Sequence, residues 1–205
     1  MDKVLTTPID ESVIRTLHVG DTIYVSGRAF TARDDAHHVL LDAAAAGETL
    51  PLAPGEMAMF HCGPAVQKTA DGWRVVSAGP TTSARMEMFE ADFLDRFETR
   101  LIIGKGGMGA RTLGALQRVG AVYTHFTGGA GALAARAVRG VSAVYWLEEL
   151  GIPEAVWVFD VERFGPLTVT MDAHGKSLYD ELNLVVSKNL EAIHARIEEG
   201  EQVVE

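Results

Sequence analysis

The sequence predicts an α/β fold centred on a parallel sheet. From Leu101 onward, short apolar strands alternate with short helices, the order that parallel strands joined by crossover helices require. Three glycine-rich turns, at 78–85, 104–109 and 127–131, each follow a strand and precede a helix. The stretch before them has more strand and less helix, so it adds a second, partly antiparallel layer. With 205 residues, 47% of them hydrophobic and 22% charged, the chain has the apolar content for a sizeable core and lacks the composition of a disordered one.

The elements follow in order. Residues 21–31 (DTIYVSGRAFT) are β-branched and aromatic, hence strand, with Gly27 as a bulge. Residues 34–46 are rich in Ala and Leu and read as helix, with Asp34 as N-cap. The loop 47–55 carries two Gly and two Pro. Strands are expected at 56–62 and 73–78. Residues 82–98 form an amphipathic helix, with Met86, Phe89, Phe93 and Phe97 at helical spacing. Met86, Met88 and Phe89 are expected to be exposed towards a partner. Strands at 101–103, 121–126, 141–146, 155–161 and 167–171 enclose helices at 109–119 and 130–138, and a long helix spans 177–197.

A single domain over 1–205 is expected, with an acidic end at 199–205 that frays. The formal net charge is −10, from 18 Lys and Arg against 28 Asp and Glu, a poor balance for a nonspecific nucleic-acid or membrane-surface binder. The most apolar stretch, 127–150, is interrupted by Arg136 and Arg139 and does not read as a membrane span. The opening MDKVLTTPID lacks the basic and apolar regions of a secretory signal, so the cytoplasm is the expected location. One cysteine, Cys62, cannot form an internal disulfide, a zinc knuckle or a complete iron–sulfur site.

In a parallel sheet all strand-to-helix turns lie at one edge, where helix N-termini and glycine backbones favour anions. Three such turns therefore predict a site for a small anionic ligand. The turn Gly104–Gly109 matches G-x-G-x-x-G, but no acid stands about 20 residues on to take a ribose hydroxyl, and Gly-Lys-Ser/Thr is absent. Lys105, between Gly104 and Gly106, is the sharper feature: either a solvated lysine or an anion ligand. Arg85 stands four residues after Thr81, one helical turn on. It either faces the same ligand or pairs with Glu87 or Glu90, while Thr81, Thr82 and Ser83 are also candidate N-caps. Arg33 ends a strand and opens a helix, with Asp34 and His37 placed to fix its loop. His61 and Cys62 have no second cluster with which to form a metal pair. Asp172 and His174 read as a carboxylate-held turn, and no G-x-S-x-G nucleophile elbow occurs.

These segments, in this order, resemble the β subunit, or C-terminal domain, of class I iron–sulfur fumarate hydratases and the related tartrate dehydratases. The marks are VGDTIYVSG, TARDDAHH, FHCGPAV, GWRVVSAGPTTSARM, IIGKGGMG, FTGGAGALAA, YWLEELGIPEAVWVFDVERFGPL and MDAHGKSLYDE. The resemblance implies a swivelling β/β/α three-layer domain with a parallel central sheet. It implies reversible hydration of fumarate to S-malate, or dehydration of tartrate or a mesaconate-type relative, and a non-catalytic anion-binding module is the alternative from another class. It implies a [4Fe–4S] cluster held by a separate α subunit and not by this chain, in an αβ heterodimer that pairs into a heterotetramer. Carried over by motif, the substrate residues are Arg33, Thr81, Arg85 and Lys105, with Thr81 as the proton-transfer candidate and Asp34, His37, Gly104 and Gly106 in support; Arg28 is the rival to Arg33.

Overall fold

The computed structural model describes residues 3–198; the acidic end at 199–205, expected to fray, lies outside the described residues. Nine strands occur among them: β1 (Lys3–Thr6), β2 (Thr22–Thr31), β3 (Ala58–Phe60), β4 (Ala65–Thr69), β5 (Gly72–Ser77), β6 (Leu101–Gly104), β7 (Val122–His125), β8 (Val138–Tyr145) and β9 (Val156–Met171). The α-helices are α1 (Glu11–Ile14), α2 (Asp34–Ala45), α3 (Glu87–Phe97), α4 (Ala110–Val119), α5 (Gly131–Ala137), α6 (Leu147–Leu150) and α7 (Leu178–Glu198).

The main sheet runs β1-β2-β3-β6-β7-β9-β8. Its first five strands pair in parallel, and β9 is antiparallel to its neighbours. β9 also pairs with β2, so the sheet closes on itself. A separate antiparallel hairpin, β4-β5, adds a second sheet. The result is a three-layer α/β arrangement, as the sequence predicts.

The central strands read as unbroken apolar runs because both faces are covered. Along β6, Leu101 and Ile103 join one core while Ile102 joins the other. β3 does the same with Ala58 and Phe60 against Met59, as the two-residue repeat of a strand requires. One core packs α2, α3 and α4 through Leu40, Phe93, Leu94 and Leu116. The other gathers Phe60, Trp157, Phe164 and, from the hairpin, Trp73. Each such fully buried side chain contributes about 1.5–3 kcal/mol.

Several expectations change. Asp34 is not a cap: it is the first residue of α2 and Arg33 holds the N-cap position, while Thr82, which does hold the N-cap position of Ser83–Met86, makes no side-chain capping bond. The helix expected over 82–98 opens as a 3₁₀ turn, Ser83–Met86, before α3 begins. The strands expected at 155–161 and 167–171 are one strand, β9. Met86 is fully buried in the helix-side core; Met88 is exposed and Phe89 half-buried. The larger exposed apolar set is on α7: Leu182, Leu184, Val185, Val186, Leu190 and Ile197. No helix of the described residues is long and apolar enough to cross a membrane.

Candidate functional site

β2, β3, β6 and β7 point the same way, so their carboxyl ends share one edge. Arg33 follows β2, His61 follows β3, Lys105 follows β6 and Phe126 follows β7. Ligands of open α/β sheets bind at that edge.

The three glycine turns meet there. The Ala78 N–H donates to the Gly131 carbonyl at 3.0 Å, joining the first turn to the third. The Ser83 N–H donates to the Lys105 carbonyl at 3.0 Å, and the Lys105 N–H donates to Ser83 Oγ at 3.1 Å, joining the first to the second. The Lys105 stem lies over Gly128, where a Cβ would stand 3.0 Å from Lys105 Cδ, joining the second to the third. Gly106 has φ +78, a left-handed conformation that glycine adopts without strain.

Gly104 is required for a different reason. A Cβ there would collide with Ser83 Oγ and stand 2.6 Å from the Tyr123 phenol oxygen. Tyr123 is buried, donates to the Gly106 carbonyl at 2.9 Å, and has its pKa pushed up by burial. Gly104→Ala is therefore expected to cost about 1–3 kcal/mol, as overpacked sites do; a thermal melt indistinguishable from wild type would refute this.

Each candidate ligand has a defined setting. Arg85 Nη2 pairs with Asp34 Oδ2 at 2.7 Å, not with Glu87 or Glu90, and its side chain remains 52% exposed. Arg33 pairs with Glu154 at 3.0 Å, donates to the Pro153 carbonyl at 3.4 Å and lies against Gly63. Burial pushes the Glu154 carboxyl up, against the pull of Arg33. An arginine offers five donors, so each guanidinium is oriented by one carboxylate with donors left over. Lys105 is half-buried and makes no ion pair among the described residues. Thr81 is half-buried, its N–H donating to the His61 carbonyl at 2.7 Å. Arg28 stands away from this edge, in a cavity lined also by Pro8, Leu52 and Tyr145. His37 Nδ1 stands 2.7 Å from the Arg33 carbonyl.

The helix after the second glycine turn is closed to anions. Glu87 occupies its N-terminus, accepting from the Gly109 N–H at 2.6 Å, the Thr112 N–H at 3.3 Å and the Thr112 hydroxyl at 2.7 Å. A carboxylate stands where a dinucleotide would place its pyrophosphate, which is the physical reason that G-x-G-x-x-G is not a nucleotide loop here.

Two further residues join the edge. His125, at the end of β7, stands 2.9 Å from the Tyr179 hydroxyl, and its pKa is lowered first by burial and then by the Lys105 charge. The Tyr179 ring covers Gly107. His125 immediately precedes FTGG, and Tyr179 lies in the SLYDE segment. Tyr179 therefore lay within a marked motif and His125 just outside one, and neither has a spacing that announces a role. Asp172 and His174 form a carboxylate-held turn, with Asp172 accepting from the His174 and Lys176 N–H groups, both at 3.0 Å. Cys62 is buried and its thiol is pushed up by burial. A single buried thiol does not by itself supply the ligands of an iron–sulfur cluster.

A sequence model of the family described as "Fumarase C-terminus" matches residues 2–182. The chain belongs to this family. A protein of Methanocaldococcus jannaschii, provisionally named L(+)-tartrate dehydratase subunit beta, is 44% identical over 177 residues, covering 86% of this chain and 91% of the relative. L(+)-tartrate dehydratase subunit beta of Escherichia coli (strain K12) is 42% identical over 181 residues, covering 88% of each chain. A Geobacillus stearothermophilus protein, provisionally named fumarate hydratase class I, is 42% identical over 179 residues, covering 87% of this chain but 34% of that longer protein. The match to the Fumarase C-terminus family includes all three glycine turns and every candidate ligand, and it stops within α7.

Proposed function

We propose that this chain is the β subunit of a heteromeric, iron–sulfur-dependent hydro-lyase that interconverts fumarate and S-malate, and that it supplies the cationic clamp for the dicarboxylate. The names of its relatives support a hydro-lyase β subunit. The observation that carries the reading is the convergence of Arg33, Thr81, Arg85 and Lys105 on one sheet edge, locked together through the glycine turns. That edge gives an otherwise acidic protein a local site for two carboxylates.

The chemistry follows from charge. Removing a proton beside a carboxylate loads negative charge onto that carboxylate, and preoriented arginine and lysine donors stabilise it. Arg33 and Arg85 keep their orientation through Glu154 and Asp34. The Lys105 stem packs over Gly128 at the same edge. Thr81 is the proton-transfer candidate, and its hydroxyl needs a base, which this reading places in the partner subunit. The cluster, by the same reading, belongs to that subunit.

A second reading, dehydration of L(+)-tartrate, is favoured by the two relatives that this chain matches nearly end to end. Both substrates are four-carbon dicarboxylates and can share the clamp. Anaerobic co-purification with the partner subunit, followed by assays on malate, fumarate, L(+)-tartrate and mesaconate, separates the readings. The chain alone is expected to be colourless, inactive and self-associating by light scattering. A brown lone chain, or one that turns over malate, would overturn the division of labour. An assembled complex that binds dicarboxylates without converting any of them would instead favour an anion-binding module.

A further inference from the structure

Three buried side chains from three parts of the chain meet behind the sheet edge. His37 stands on α2, His61 follows β3 and Glu90 stands on α3. All three are fully buried. The sequence sets His61 beside Cys62 and offers no second cluster to join them; the fold brings His37 and Glu90 to His61 instead. His61 Nε2 lies 3.0 Å from Glu90 Oε2, and His37 Nε2 lies 3.5 Å from the same oxygen. One atom from each of the three residues lies within 4.8 Å of the other two.

These close approaches are not hydrogen bonds. His37 Nε2, His61 Nε2 and both Glu90 carboxylate oxygens are buried without a hydrogen-bond partner. A buried polar atom left unpaired is costly and rare, and here four gather in one place. The far sides of both rings, by contrast, are satisfied. His37 Nδ1 lies 2.7 Å from the Arg33 carbonyl, which only accepts, so this nitrogen carries a hydrogen. In the neutral ring, Nε2 then presents a lone pair to Glu90. His61 Nδ1 lies 2.9 Å from Ser83 Oγ, whose two lone pairs can accept from it and from the Lys105 N–H at 3.1 Å. Its Nε2 is then bare as well. A ring held at Nδ1 by a carbonyl or hydroxyl, with Nε2 bare, has the orientation of a metal-ligating histidine.

We propose that His37 Nε2, His61 Nε2 and the Glu90 carboxylate form a structural site for a divalent transition-metal ion of the zinc class. Two imidazoles and a carboxylate suit such an ion, whereas magnesium and calcium take oxygen ligands. Zinc bonds of about 2.0–2.1 Å place tetrahedral ligand atoms roughly 3.3 Å apart. The separations of 3.0 and 3.5 Å bracket that value. The second Glu90 oxygen is the fourth unpartnered atom, so a bidentate carboxylate closes the coordination. Phe89, Phe93 and Tyr123 surround the two rings, which makes this a closed site and not a catalytic one. One net positive charge remains, fewer than the two that a three-histidine zinc site carries before its water ionises. An ion there joins α2, α3 and the segment after β3 in the helix-side core. None of its ligands is a clamp residue, so the site stands whether or not the clamp reading does.

The test uses the full chain, stripped with a chelator and reloaded with zinc alone. Plasma mass spectrometry is expected to find one zinc per chain. Free zinc at a hundredfold excess over Kd is expected to raise Tm by roughly 5–10 °C. Cobalt in place of zinc is expected to give the visible bands of a nitrogen–oxygen site, without thiolate charge transfer, because Cys62 is not a ligand. His37→Gln and Glu90→Gln are expected to bind zinc at least tenfold more weakly and to lose the rise in Tm. Two controls are expected to match wild type: Cys62→Ser, and His174→Ala, which breaks a second close pair of histidines, His18 and His174, stacked at 4.6 Å. A wild-type chain that takes up no zinc, or whose Tm ignores it, would overturn the site. So would zinc lost from either control, or zinc kept in His37→Gln and Glu90→Gln. Should those two variants not fold, X-ray absorption of the zinc-loaded wild type decides: two imidazoles on the ion support the site, and fewer overturn it.

Discussion

Lys105→Met is expected to lower kcat/KM of the assembled enzyme ten- to a hundredfold while leaving assembly and thermal stability unchanged. The structural work at this position is done by the backbone: the Lys105 N–H and carbonyl tie the second glycine turn to Ser83. Methionine keeps that backbone and keeps an unbranched stem over Gly128. Only the ammonium is lost. A charge-assisted contact to a carboxylate is worth about 1.5–3 kcal/mol, and more where charge grows in the transition state. Arg85→Ala should fall in the same range, because Asp34 orients the guanidinium without burying it. Thr81→Ala should lower kcat with little change in KM, the pattern of a group acting in the transition state. A solvated lysine would behave differently, its loss leaving turnover within about a factor of two, in line with the small effects of surface changes. Near-normal turnover in Lys105→Met would remove the clamp.

The legible parts of the fold were those where one physical signal dominated. β6 and β7 are apolar on both faces and bounded by glycine or polar turns, so their existence and parallel sense could be read directly, whereas β3 was read as a strand but assigned to a partly antiparallel layer, and it pairs in parallel with β2 and β6 instead. β4 was not read because AVQKT is mostly exposed and takes its strand conformation from pairing with β5. The ERFGPL segment looks like a breaker, yet β9 continues through it because β2 supplies partners at Phe164 and Leu167. The clamp motifs were legible as glycine turns. Their supports were not, because Glu87 on a helix N-terminus and Glu154 on Arg33 are contacts across long sequence separations. Glu90 did leave a trace: it falls on the same helical face as Met86 and Phe93, and a carboxylate on an apolar face needs a buried partner.

Trp157→Ala is expected to destabilise the chain by about 3–5 kcal/mol, the cost of deleting a large aromatic from a close-packed core, and so to lower Tm by roughly 6–20 °C at this chain length. Trp157 is fully buried, and Trp73 meets it edge-on with ring centroids 5.2 Å apart, so the hairpin loses its anchor along with the core. The indole does a second task. Its Nε1–H donates to the Ile152 carbonyl at 2.9 Å, while the Trp157 peptide N–H donates to Thr31 Oγ1 at 2.9 Å. Ile152 is followed directly by Pro153 and Glu154, the two residues that hold the Arg33 guanidinium. Trp157→Phe separates the two tasks. It keeps most of the buried ring but leaves the Ile152 carbonyl without its donor, a loss of about 1–3 kcal/mol that falls on the loop supporting Arg33. The expected result is a modest fall in Tm with a several-fold rise in KM for the dicarboxylate. Calorimetry and steady-state kinetics on the same preparations would show it. A Trp157→Phe enzyme with wild-type KM would mean that the Pro153–Glu154 loop keeps Arg33 in place without the indole, and the role of Trp157 would then be confined to the core.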